Sequence, residues 1–173
     1  GVMSGVMFWV FDGMSYGLFP LLTLILPGSA ALLHALFYFP ATLGLLIVRK
    51  PGASAYGLLV ASFGEVGLGT KYSVSLVVIA LVQALAAETV FALFRYRRWT
   101  LGVTLLSSVA IGIVYNFYLL FFYYQAFSFF SPRGLIGTAC ELLSAIVFAG
   151  FGSWILYRAL AKSGVLARFS SGQ

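Results

Sequence analysis

The stretch RKPGASAYGLLVASFGEVGLG, residues 49–69, places two cations and a proline in front of a run that is apolar enough to lie in lipid. That run is rich in Gly, Ala and Ser, and it ends on Glu65 among glycines. A carboxylate costs about 2.5–3.5 kcal/mol at the middle of a membrane helix, so it normally faces a partner or a wet cavity. The stretch therefore predicts a short membrane helix, packed among neighbouring helices, with Glu65 pointing inward.

The composition of the whole chain supports this interpretation. Of the 173 residues, 62% are hydrophobic and only 8% are charged, whereas about a quarter are charged in an ordinary soluble domain. Apolar segments of about 20 residues, long enough to cross a bilayer, recur along the whole length. The composition excludes a soluble globular protein. It predicts an all-α integral membrane protein with a single domain, residues 1–173.

Prolines, glycines and charges divide the chain into six predicted membrane spans. The third span is the shortest, and its small residues favour a position among other helices. We see no linker or second domain. The predicted spans are residues 1–19, 29–48, 53–68, 73–94, 100–127 and 134–160.

The cations predict how the six spans are oriented. Eight of them follow the second, fourth and sixth spans, and two lie in the opposite connections. Positively charged loops face the cytoplasm, so the net charge of +6 reports topology and gives no reason to expect nucleic acid as a partner. Both termini are predicted to lie in the cytoplasm of a prokaryotic cell, with the protein in the plasma membrane. The eight cations are Arg49, Lys50, Arg95, Arg97, Arg98, Arg158, Lys162 and Arg168, and the two are Lys71 and Arg133.

With this topology, the polar groups of five helices concentrate in the outer half of the bundle. Because buried polar groups need partners or water, the pattern predicts a binding cavity that opens to the outside. An alternative for Glu65 is that it reaches the headgroup layer and pairs with a nearby lysine. The polar candidates are Asp12, His34, Glu65, Asn116 and Glu141.

Aromatic residues lie at similar depths. Aromatic faces beside carboxylates suit a flat, cationic or protonatable heterocycle, through stacking and a cation–π attraction of about 1–2 kcal/mol. Tyr and Trp also form the interfacial belt of membrane proteins, and that alternative stays open for each residue. The aromatic candidates are Trp9, Phe37, Tyr38, Tyr72, Tyr115 and Tyr123.

The first helix raises a conflict. Gly1 and Gly5 form a small-xxx-small pair, which allows close approach of another helix. Seven residues rotate a helix by about 700°, so Gly5 and Asp12 point nearly the same way. The two cannot easily serve an external partner and an internal pocket together. On the fourth helix, Glu88 lies far from the outer cluster, and a structural ion pair with Arg95 is expected there.

The motifs for catalysis and for metal or cofactor binding are missing. The lone His34 and the lone Cys140 build no metal or haem spacing, and the chain has no P-loop, HExxH motif or nucleophile elbow. We therefore predict no enzyme activity, no cofactor and no resident metal.

Three segments carry a family resemblance. LFYFPATLGLLIVRKPGASAYGLLVASFGEVGLG, LVQALAAETVFALFRYRRW and the opening GVMFWVFDG together resemble the YkoE-type substrate-binding components, or S components, of energy-coupling factor (ECF) transporters. The resemblance covers nearly the whole chain. It implies a six-helix protein that binds thiamine or its hydroxymethylpyrimidine precursor from the outside.

The resemblance also implies partners. A transmembrane coupling subunit and two cytoplasmic ATPases would drive release inward, and Gly1 and Gly5 match the small-residue motif that meets the coupling subunit. The sequence departs from the family pattern at Phe37, Leu58 and Glu141, which leaves a different small heterocyclic vitamin open as the ligand.

Two other functions remain as alternatives. One is a small proton-coupled carrier that works as a homodimer, with Glu65 or Glu141 as its proton site. The other is an intramembrane enzyme that acts on a lipid or prenyl chain.

Overall fold

The architecture comes from a computed structural model, which describes residues 2–70, 73–122 and 130–169. Its described residues form six long helices. The helices are α1 Val2–Ile25, α2 Ala35–Val48, α3 Ala53–Gly67, α4 Ser73–Leu93, α5 Leu101–Phe122 and α6 Pro132–Lys162.

Five segments are long and apolar enough to cross a membrane: Ser4–Ile25, Ser29–Val48, Ser75–Leu93, Leu101–Phe122 and Pro132–Lys162. Helix α3, at 15 residues, is shorter than the roughly 20 residues that a span needs. Large apolar side chains cover the outward faces of the bundle, as expected for a surface in contact with lipid. An all-helical membrane fold is therefore confirmed.

Helix boundaries follow local sequence signals. The Ser131 hydroxyl accepts a hydrogen bond from the Gly134 N–H at 3.1 Å and caps α6, whose first residue is a proline. Gly28 has φ of 98° ahead of the short 3₁₀ turn Ser29–Leu33 that leads into α2. A Cβ at Gly28 would also lie 2.8 Å from the Gly137 nitrogen. Only glycine fits at this contact between the α1–α2 link and α6.

One predicted boundary was wrong. The first span was expected to end at residue 19, before Pro20, but α1 continues to Ile25 with Pro20 inside it. A proline removes one backbone hydrogen bond, and in a membrane the helix remains the form that satisfies the other backbone groups. The last predicted residues of the fifth span, 123–127, lie outside the described residues.

The cation-rich loops lie together at one end of the bundle. The Arg49 guanidinium donates to the Tyr157 hydroxyl at 2.8 Å and lies 5.8 Å from the centre of the Trp99 ring. These contacts join the end of α2, the α4–α5 link and the end of α6. The end of α6 therefore lies at the same end of the bundle as the basic loops.

At the same end, Glu88 caps a helix, and the expected ion pair with Arg95 is not among the salt bridges of the described residues. The Glu88 carboxylate accepts hydrogen bonds from the Ser54 N–H at 2.9 Å, in the first turn of α3, and from the Tyr96 hydroxyl at 2.5 Å. Burial and the Glu88 carboxylate raise the pKa of Tyr96 to about 12. Glu88 thus ties α3 and the α4–α5 link to α4.

Candidate ligand cavity

A cavity of about 260 Å³ lies between the helices, in the half of the bundle opposite the cation-rich end. Every helix except α6 contributes to its wall. The lining residues are Phe8, Asp12, Ser15, Phe19, His34, Phe37, Leu58, Ser62, Glu65, Leu76, Ile79, Ala80, Gln83, Tyr115 and Leu119.

Glu65 differs from the other residues of this wall in the burial and hydrogen bonding of its carboxylate. Its side chain is only 1% exposed. Neither carboxylate oxygen has a partner within hydrogen-bond geometry among the described residues, and the Thr70 hydroxyl is close enough to interact with the carboxylate more weakly. A buried carboxylate without a partner is costly. The alternative of a headgroup contact through Lys71 cannot be followed, because Lys71 lies outside the described residues. The position of Glu65 in the cavity wall suits a ligand that supplies a donor or a positive charge.

Asp12 is a second acid in the same wall. It is buried on α1, and the Thr70 hydroxyl donates to its carboxylate across a long distance of 3.5 Å. Ser15 bonds the Asp12 backbone carbonyl at 2.7 Å. Asp12 and Glu65 therefore give one cavity two carboxylates from two different helices.

His34 connects this cavity to a buried polar cluster behind it. Its Nδ1 donates to the Glu141 carboxylate at 2.5 Å, because a carboxylate can only accept. Tyr38 donates to the other oxygen of Glu141 at 2.8 Å. Glu141 and Tyr38 are 1% and 0% exposed, so both lie behind the wall and hold the His34 ring in place.

A second, smaller cavity of about 70 Å³ shares His34 with the first. Glu141 and Asn116 contribute to its wall, and the Asn116 amide donates to the Thr138 hydroxyl at 2.9 Å. Asn116 is thus engaged with α6 and lies beside the smaller space rather than the larger one.

Aromatic rings form much of the larger wall. The Phe37 ring lies 6.0 Å from the Phe8 ring, and the Tyr115 ring lies 5.4 Å from the His34 ring in an edge-on arrangement. Phe19 lies 5.7 Å from His34 on its other side. These edge-on and tilted contacts fix the rings that face the cavity.

One predicted site residue lies outside the cavity walls, and three predictions cannot be compared with the structure. Trp9 is 45% exposed and is not among the residues that line either cavity; on α1 it points away from the face that carries Phe8 and Asp12. Tyr72, Tyr123 and Gly1 lie outside the described residues.

The prediction that Gly5 meets an external partner does not fit the packing. Gly5 is buried, and a Cβ placed there would lie 2.8 Å from the Ala61 carbonyl oxygen and 3.3 Å from the Gly64 Cα. The conflict between Gly5 and Asp12 is resolved because both face inward, one against α3 and the other towards the cavity. The open glycines of α1 are Gly13 and Gly17, with no other atoms near their missing Cβ positions.

Sequence reasoning missed Gln83. It lies in the cavity wall on α4 and is 3% exposed. Its signal was present in the sequence, since it is the one amide side chain in the 21 residues of α4. A polar amide inside the bilayer normally finds a partner on a neighbouring helix.

Metal ligands do not gather in the described residues: no group of three or more His, Cys, Asp or Glu side chains there could hold an ion.

Comparison with known proteins agrees with this fold. Residues 1–114 match the model of the family described as "ABC-type cobalt transport system, permease component". The "Putative HMP/thiamine permease protein YkoE" of Bacillus subtilis (strain 168) is 28% identical over 142 residues, which is 82% of this chain and 70% of the relative.

A solved structure described as "Crystal structure of an S-component of ECF transporter" superposes with a TM-score of 0.88 at 25% sequence identity. The match covers 99% of this chain and 85% of the other. The resemblance identified from sequence motifs is thereby confirmed. The chain belongs to the family of ABC-type cobalt transport system permease components, and it is similar to YkoE and to an S component of an ECF transporter.

Proposed function

We propose that this chain captures thiamine or its hydroxymethylpyrimidine precursor and delivers it inward with a coupling subunit and two ATPases. The observation that carries the proposal is the buried, unpartnered carboxylate of Glu65 in an aromatic-walled cavity. The site would face the outside of a prokaryotic plasma membrane, with six spans and both termini in the cytoplasm.

The charge of the wall favours a cationic ligand. Two carboxylates, Asp12 and Glu65, line the larger cavity, and its lining contains no lysine or arginine among the described residues. The imidazole of His34 is already engaged by Glu141. A positive heterocycle such as a thiazolium ring would compensate the acids and lie against the aromatic faces of Phe37 and Tyr115.

The size of the cavity favours a small ligand. At about 260 Å³, it lies just below the roughly 300–1,000 Å³ of pockets for drug-sized molecules. A molecule of one or two rings is a suitable occupant. The name of the Bacillus subtilis relative points to the same ligands.

Calorimetric titration of the detergent-solubilised protein tests the ligand class. We expect thiamine or hydroxymethylpyrimidine to bind at micromolar concentration or below. Co²⁺ belongs in the same series because the matched family is named for cobalt. If folded protein binds neither organic ligand more tightly than about 1 mM, which is only about 4 kcal/mol, the proposal is rejected.

A second experiment separates this function from a proton-coupled carrier, which the free carboxylate of Glu65 could also serve. The chain is placed in vesicles, alone and together with a coupling subunit and ATPases. We expect uptake of labelled thiamine only with the partners and ATP. Uptake by the chain alone that follows a pH gradient would support the carrier.

A further inference from the structure

Gln83 is a buried amide in the wall of the larger cavity. Its side chain is 3% exposed and lines the larger cavity. The side-chain hydrogen bonds found among the described residues do not include one from Gln83, which lies in the cavity lining. An amide offers one acceptor oxygen and two donor hydrogens, and inside a membrane protein these groups need a counterpart.

The position of Gln83 on α4 directs it to the cavity. Leu76, Ile79 and Ala80 precede it on the same helix face, at intervals of three, one and three residues, and all line the same space. The other polar lining residues nearby are satisfied or charged: Ser62 donates to its own helix at 2.8 Å, and Glu65 is a carboxylate. Gln83 is therefore a neutral group that can both donate and accept towards a ligand.

The neighbouring donor and acceptor of an amide side chain suit a ligand edge that offers an acceptor beside a donor. Gln pairs through two hydrogen bonds with an adenine edge, where a ring nitrogen lies beside an exocyclic amine. An aminopyrimidine carries the same arrangement. We propose that Gln83 recognises the amino-substituted edge of the bound heterocycle by this paired contact, while Asp12 and Glu65 compensate its positive charge. This inference rests on the proposed function and names the residue that sets its specificity.

The test compares two cations that differ at one group. Thiamine and a thiamine analogue without the amino group share the thiazolium charge, and calorimetry gives their affinities for the wild-type protein and for Gln83→Met. We expect the wild type to bind thiamine at least about tenfold more tightly than the analogue, because an unmade pair leaves the buried amide unsatisfied. In Gln83→Met the two affinities should agree within about threefold.

Thr89→Val is the matched control on α4. Thr89 is exposed, and its hydroxyl bonds only to the Leu85 carbonyl of its own helix at 2.7 Å, so this variant should keep the wild-type preference. If Gln83→Met does not fold, Gln83→Asn takes its place, since it keeps the amide but withdraws it by one methylene group and should also lose the preference.

The outcomes are distinct. A wild type without preference for the amino group, or a Gln83 variant that keeps it, overturns the role of Gln83 and leaves the proposed function standing. A folded wild type that binds neither cation overturns both.

Discussion

Glu65 is buried, and neither of its carboxylate oxygens has a hydrogen-bond partner within bonding geometry among the described residues, although the Thr70 hydroxyl lies close to it; this combination separates it from the other acids. Glu88 caps α3, and Glu141 bonds both His34 and Tyr38. Those two carboxylates stabilise the protein by themselves. Glu65 gains a comparable partner only when the cavity is filled, so its contribution should appear in binding rather than in folding.

The substitution Glu65→Gln should weaken the affinity for thiamine by about 1.5 kcal/mol or more, because it removes a charge-assisted hydrogen bond. Titration calorimetry on both proteins measures the difference. The thermal stability of the empty protein should stay equal or rise, since a costly buried charge is removed. Unchanged affinity would remove Glu65 from the binding site.

Glu141 should behave in the opposite way. Glu141→Leu leaves His34 and the Tyr38 hydroxyl without their acceptor, and loss of one partner from a buried pair costs about 3–5 kcal/mol. We expect a clear fall in the midpoint of thermal unfolding in detergent. The double variant His34→Phe with Glu141→Leu should recover part of the lost stability. If the stability losses of the two single variants simply add in the double variant, His34 and Glu141 are not energetically coupled.

The acids and aromatics of the site were predictable because carboxylates and imidazoles are rare in membrane helices. Asp12, Glu65 and His34 were found in this way. The rotation of each helix was not predictable, and it decides which side Trp9 and Gly5 face. Gln83 was overlooked because a neutral amide costs less than a charge inside a membrane and gives a weaker signal.

At the level of the elements, the helix pairs are held by different forces. Helix α6 is joined to α2 and to the 3₁₀ turn before it by polar contacts. The Ser144 hydroxyl donates to the Leu32 carbonyl of that turn at 2.6 Å, and Thr42 of α2 bonds the Ala149 carbonyl at 2.8 Å and Ser153 at 2.9 Å. The last contacts lie along the π-helical stretch Ala145–Gly152 of α6. Such stretches often mark functional positions.

Helices α1 and α3 instead meet through small residues. Gly5 approaches the Ala61 carbonyl and Gly64 so closely that no side chain fits between them. This contact sets the separation of the two helices that carry Asp12 and Glu65. The distance between the two acids therefore depends on Gly5, which packs beside Gly64, the residue before Glu65, and lies seven residues before Asp12.

Gly5→Ala should force α1 and α3 apart and destabilise the protein by about 1–3 kcal/mol, as overpacked contacts do. It should also weaken thiamine binding. Gly13→Ala is the matched control on the same helix, where a Cβ meets no other atom within 4 Å. The control should be neutral or slightly stabilising. Thermal unfolding measures the stability of both variants, and calorimetry measures their affinity for thiamine. Equal stability and equal affinity in Gly5→Ala and Gly13→Ala would contradict the close packing of Gly5 against α3.

For the whole molecule, the clustering of cations at one end predicts its orientation in the membrane. Helix number, helix order and most boundaries could be predicted from hydropathy and proline positions, because the bilayer sets the length of its helices. Helix α1 exceeded its predicted end because a proline does not stop a helix in lipid. The cavity itself could not be predicted, since it depends on how side chains of five helices meet.

The topology is testable with single cysteines. Cys140 is the only cysteine of the chain, so Cys140→Ser gives a protein without cysteine. Single cysteines are then introduced by Arg98→Cys at the cation-rich end and by Phe130→Cys at the opposite end. A membrane-impermeant maleimide applied to intact cells should label the second and not the first. The reverse pattern would invert the proposed orientation.

The shortness of α3 has a consequence for the surrounding membrane. Fifteen residues extend about 22 Å, against a hydrocarbon layer of about 30 Å. Because Tyr56 and Phe63 are 73% and 62% exposed, α3 meets the acyl chains directly. We expect this hydrophobic mismatch to draw the phospholipid headgroups inward beside α3. Glu65, near the end of α3, then lies next to a local depression in the leaflet, and the acyl-chain length of the host bilayer becomes a determinant of how a solute reaches it.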